Sequence, residues 1–280
     1  MHDASQATTS AADTIRRQGG NWYERLARLG FAAKGVVYLL VGALAAAAAW
    51  GAGSARGSTG ALQTLYDEPF GRVLLGLVAL GLVGYVLWRL VSAFANPDDD
   101  GAGRRAFHFV TGVTHAVLAV AAARMALTGS GGSSGGNGSA AHWTAQVMAQ
   151  PLGVFAVGLA GSGLALYGLH QIYRGFTADV DDRLALHRLR PSAVAWVVRL
   201  GRAGLIARGI VFALMGAFLI VAALQSDPSE ARDLGGALRT LEGQTYGPWL
   251  LGAVAAGLFA YGVFQLIRAK YRRLRRPALP

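Results

Sequence analysis

The chain has 280 residues, 53% of them apolar and 15% charged, where an average soluble domain carries about 25% charge. Mean hydropathy is +0.38, and glycine, at 39 residues, is used about twice as often as usual. These values rule out a disordered chain and argue against an ordinary water-soluble globule. The net charge of +11, from 26 basic and 15 acidic residues, would suggest nucleic acid in a soluble protein. In a membrane protein it marks basic cytoplasmic loops. With no cysteine in the chain, disulfides, thiolate metal sites and cysteine nucleophiles are excluded.

Residues 1–20 are polar and small, lack the apolar core of a signal peptide, and read as a disordered cytoplasmic tail. Six apolar segments follow, near Phe31–Trp50, Gly71–Phe94, Phe107–Leu127, Leu152–Tyr173, Leu205–Leu224 and Gly247–Ile267. Each is long enough to cross a hydrocarbon core of about 30 Å as a helix. Val36–Ala49 and Val73–Leu87 lack the polar stripe that a soluble core helix shows every 3.6 residues. If the N-terminus is cytoplasmic, all basic residues except Arg56, Arg72, Arg124, Arg232 and Arg239 fall on the cytoplasmic side. That asymmetry places both termini inside a bacterial inner membrane.

The chain repeats itself. Trp22-x-x-Arg25-Leu26-x-Arg28-x-Gly30 recurs as Trp196-x-x-Arg199-Leu200-x-Arg202-x-Gly204, and Gly60-Ala61-Leu62 recurs as Gly236-Ala237-Leu238. A middle copy is worn. It keeps Arg105 and Gly112 but has Thr111 in place of Lys34 and Arg208, and it lacks the Gly-Ala-Leu element. The second span of every copy carries G-x4-G-x4-G-x3-Y, beginning at Gly71, Gly153 and Gly247 and ending at Tyr85, Tyr167 and Tyr261. Two spans per copy make the repeats parallel, related by an axis along the membrane normal. The expected fold is all-α, with six transmembrane helices as three two-helix repeats in pseudo-threefold order. The repeats cover 21–95, 102–176 and 195–269, with a linker at 177–194 and a basic cytoplasmic tail at 270–280. Gly76, Gly81, Gly158, Gly163, Gly252 and Gly257 are the expected packing contacts.

The run Gly30–Tyr38, and Gly60-Ala61-Leu62 leading into Pro69-Phe70-Gly71, resemble a bacterial membrane family catalogued as domain of unknown function 1206. Its members carry three tandem two-helix units. The resemblance spans about Trp22 to Ala269 and implies fold and membrane location. It brings no activity or catalytic residues.

Several connections have readings of their own. Trp22–Leu29 and Trp196–Ala203 read as short amphipathic helices in the interface. Thr128–Ala141 is nearly all Gly and Ser and reads as a flexible linker. The acidic runs 98–100 and 179–182 read as solvated turns. The tail from Arg268 is expected to touch anionic phospholipid. No nucleic-acid partner is expected.

Polar groups inside spans are the default functional candidates. Lys34, Thr111 and Arg208 form one repeat-equivalent set, Arg89, Gln171 and Gln265 a second, and Arg28, Arg105 and Arg202 a third at the boundary. Their long side chains can snorkel to headgroups. Alternatively, Lys34, Arg208, Arg89, Arg28, Arg105 and Arg202 line a basic vestibule for an anion or lipid headgroup. His108, His115 and His170 are the candidate ligands for a haem held between the third and fourth spans. No cofactor is otherwise expected. No hydrolytic constellation is present, and no carboxylate sits deep in a span to relay protons. The expectation is therefore a non-enzymatic membrane protein, handling a solute or lipid passively or packing in a larger complex. A haem-bearing redox protein is the alternative.

Overall fold

A computed structural model describes residues 2–95, 101–129, 137–177, 184 and 190–271, with side chains from residue 24 onward and from residue 140 onward in the fifth helix. Six long apolar helices dominate: α1 (His2–Ala49), α3 (Gly71–Phe94), α4 (Ala102–Thr128), α6 (Gly153–Phe176), α7 (Pro191–Gln225) and α9 (Gly247–Tyr271). Each is long and apolar enough to cross a membrane. Leu77, Leu80, Phe155 and Phe259 stand exposed on their outer faces. An apolar belt of this kind suits lipid rather than water.

Three short helices lie between the spans, at the ends remote from the termini: α2 (Ser58–Asp67), α5 (Asn137–Met148) and α8 (Leu234–Glu242). The two Gly-Ala-Leu elements lie on α2 and α8, where Ala61, Leu62, Ala237 and Leu238 are fully buried. Repeat symmetry extends to polar contacts, since Arg56 donates to Thr64 and Arg232 to Thr240.

The second span of each repeat packs most extensively on the first span of the next. The pairs α3 with α4, α6 with α7, and α9 with α1 follow the pseudo-threefold order. Within repeats, α1 packs on α3 and α7 on α9, but α4 and α6 do not pack along their length. The six spans therefore form an arc, α4-α3-α1-α9-α7-α6, open between its ends. Consistent with this, α4 and α6 are the least buried of the six.

Four expectations are corrected. Residues 2–20 are helical and continue into the first span. The segment is rich in Ala and contains Arg and Gln, all good helix formers, and a preformed span removes the nucleation cost. Trp22–Leu29 and Trp196–Ala203 are not separate helices but part of the span helices α1 and α7. No proline interrupts either junction, and Pro191 starts α7 at a position suited to it. Residues 137–141, expected within the flexible linker, begin α5.

The fourth correction concerns glycine. Gly81 and Gly257 meet the preceding span, a built Cβ at Gly81 falling 2.6 Å from Ala33 Cβ. Gly76 and Gly163 face open space, while Gly158 and Gly252 have only ordinary contact distances. Tight contacts between repeats use other glycines, such as Gly35 against Gly262 and Gly209 against Gly168. The acidic runs at 98–100 and 179–182 and the tail beyond residue 271 lie outside the described residues.

Candidate anion-binding site

Three spans bring the site together in the half of the bundle nearer the termini. Lys34 comes from α1 and Arg208 from the equivalent turn of α7. Arg89 comes from the last turns of α3. All three are buried, at 4%, 5% and 9% exposure. They turn inward; snorkelling does not describe them.

Tyrosines of the repeat motif receive the cations. The Tyr85 hydroxyl accepts from Arg89 Nε at 3.0 Å and Nη2 at 2.8 Å, with Lys34 Nζ at 3.4 Å. Arg208 donates from Nε to the Tyr38 hydroxyl and from Nη1 to the Tyr167 hydroxyl, both at 3.2 Å. Arg208 lies over the Phe212 ring (4.3 Å to the centroid) and near Tyr261 (5.2 Å), and Lys34 lies 5.1 Å from the Tyr85 centroid. Ring faces stabilise buried cations, yet these partners are neutral. Two lone pairs on a phenol oxygen facing three donors leave donors in excess.

Among the described residues no carboxylate balances this charge. The one ion pair between their side chains joins Arg28 to Glu24, at the edge. A buried cation without a counter-charge is strongly disfavoured. Three close together add mutual repulsion.

The histidines expected as haem ligands are used differently. Arg89 donates from Nη1 to His108 Nδ1. His115 Nδ1 donates to the Thr111 carbonyl at 2.8 Å, and its ring lies 4.8 Å from Tyr85. His170 is exposed, so it does not join the other two. Among the described residues no group of three His, Cys, Asp or Glu could hold a metal ion. These residues do not fit a haem held between the third and fourth spans.

Arg28, Arg105 and Arg202 are also not part of the cluster. Arg105 Nε donates to the Ala93 carbonyl at 2.8 Å, Arg202 Nε to the Gly175 carbonyl at 2.9 Å, and Arg28 Nη1 to the Lys270 carbonyl at 3.2 Å. Each first-span arginine thus caps the last turn of the second span packed beside it. Those carbonyls lack intrahelical partners and sit at the negative end of the helix dipole. Gln265, fully buried at the repeat position of Arg89, accepts from Arg268 Nη1 at 3.0 Å; its own NH2 has no partner.

The sequence points to the three central cations but not to the tyrosines as their partners. The signal is present in Tyr85, Tyr167 and Tyr261, which end the repeated glycine motif one turn before the polar set Arg89, Gln171 and Gln265.

The family model described as Domain of Unknown Function (DUF1206) matches residues 29–96, 107–178 and 203–272. The chain belongs to this family. Its three matched segments coincide with the three helix pairs. The chain is 34% identical to "Uncharacterized protein YxxB" of Bacillus subtilis (strain 168), over 93% of this chain and 95% of that protein. No solved structure matches. For this DUF1206 protein, then, the fold and a place among bacterial membrane-spanning proteins are shown, and the chemistry rests on the cation cluster.

Proposed function

We propose that the protein is a non-catalytic component of the bacterial inner membrane, both termini cytoplasmic, that holds an oxyanion on Lys34, Arg89 and Arg208. One observation carries this reading: three buried cations converge with only neutral partners among the described residues. An oxyanion supplies both the missing charge and the missing acceptors, and planar guanidinium groups match its geometry. The tyrosine hydroxyls hold the cations in place. The converging donors of Lys34, Arg89 and Arg208 support binding as the role of the site.

The test uses detergent-solubilised protein washed free of lipid. Inorganic phosphate, titrated against chloride at constant ionic strength, raises the melting temperature saturably. The Arg89→Gln, Arg208→Gln double variant loses that response. Absence of a phosphate-specific shift in the wild-type protein overturns the reading.

A further inference from the structure

The opening between α4 and α6 has a local cause. In the first and third repeats, Gly30 and Gly204 let the first span touch the backbone of the second. A built Cβ falls 2.5 Å from Tyr85 Cβ in one case and 2.7 Å from Tyr261 Cα in the other. The middle repeat has Phe107 there, and its ring lies 5.0 Å from that of Tyr167. One turn on, Ala33 and Ala207 meet Gly81 and Gly257. The middle counterparts are Val110, which is exposed, and Gly163, which faces open space. The Phe107 ring against Tyr167 holds α4 and α6 apart, and Gly163 is left without the neighbour its counterparts have.

The cleft so formed has apolar walls. Val110 and Val117 on α4, and Leu159 and Leu166 on α6, are all exposed. Each wall is tied to one guanidinium: Arg89 is bonded to His108 of α4, and Arg208 to Tyr167 of α6. Toward the termini, aromatic rings crowd the site, Phe107 against Tyr167 and Phe31 against Trp88 at 5.2 Å. The opening between α4 and α6 itself faces sideways, toward lipid.

We propose that one membrane phospholipid enters between α4 and α6, sets its phosphate between Arg89 and Arg208, and lays its acyl chains against the exposed walls of the cleft. The proposal rests on the oxyanion reading and names the source of the anion. Charge complementarity selects the occupant: a transmembrane helix of a partner could cover the apolar walls but would bring no anion to the cations, and free phosphate would leave the walls uncovered.

Native mass spectrometry of protein purified in mild detergent from phosphatidylglycerol-containing membranes tests this. The wild-type protein is expected to carry one retained phospholipid. Gly163→Phe places a ring in the open space and should cut retention at least tenfold. Lipid-free Gly163→Phe protein should still be stabilised by inorganic phosphate. Phe107→Gly with Val110→Ala, which restores the small residues of the other repeats, should also lose the lipid by closing the cleft. Wild-type protein without phospholipid, or wild-type retention in a folded Gly163→Phe variant, overturns the lateral lipid site. Loss of the phosphate response in the lipid-free wild-type protein would overturn the oxyanion reading beneath it.

Discussion

Phe107 and Tyr167 meet with ring centroids 5.0 Å apart at a place where the other two repeats bring helix backbones together through Gly30 and Gly204. A phenyl ring takes the volume that close backbone approach would need. The pseudo-threefold arrangement is therefore broken at one joint, and that joint lies beside Arg208, which donates to the same Tyr167. The asymmetry of the bundle and the placement of its charge are thus connected through one tyrosine.

The packing of glycine differs sharply by position. Gly30→Leu and Gly204→Leu must displace the backbones of Tyr85 and Tyr261, and each should cost about 1–3 kcal/mol or more through overpacking. Gly76→Leu and Gly163→Leu meet open space and should change stability far less. Thermal unfolding in detergent measures all four, and equal losses would show that helix propensity, not contact, governs these sites.

The boundary arginines are expected to support helix ends. Arg105→Ala and Arg202→Ala each remove a charge-assisted hydrogen bond to terminal carbonyls of the neighbouring helix, with an expected loss of about 1 kcal/mol. Phosphate-dependent stabilisation should survive in both variants. A loss of the phosphate response would place these arginines in the binding site instead.

Tyr85 bridges Lys34 and Arg89 through a single hydroxyl. Tyr85→Phe keeps the ring and removes that bridge, leaving two cations less well positioned. Phosphate affinity should fall several-fold, and the melting temperature of the lipid-free protein should fall too, because buried donors of Lys34 and Arg89 lose their acceptor. Isothermal titration compares the two proteins; unchanged affinity would reduce Tyr85 to a packing role.

The proposed orientation, with both termini cytoplasmic, rests on the distribution of basic residues. Reporters fused after residue 271 should respond as cytoplasmic, and reporters inserted in 130–136 as external. The opposite pattern at both sites would invert the proposed topology.

Much of this architecture is legible in the amino-acid sequence. Six spans, three parallel copies and the equivalence of Lys34 with Arg208 follow from hydropathy and register, because a helix in lipid must satisfy its own backbone and expose apolar side chains along its whole length. The same logic does not say which face of a span turns inward. Lys34 at the start of a span is placed by the sequence to snorkel rather than to point to the axis, and only the packed tyrosines Tyr38, Tyr85 and Tyr261 around it decide for the interior. Gly76 and Gly163 show the same limit: a recurrent glycine marks a permitted contact, while the neighbour that uses it belongs to another part of the chain. The opening between α4 and α6 is written at Phe107 and Val110 as lost small residues. Its meaning emerges only from the two intact repeats, where a glycine and an alanine at those positions join the helices, since close packing between helices is a property of paired surfaces and not of either helix alone.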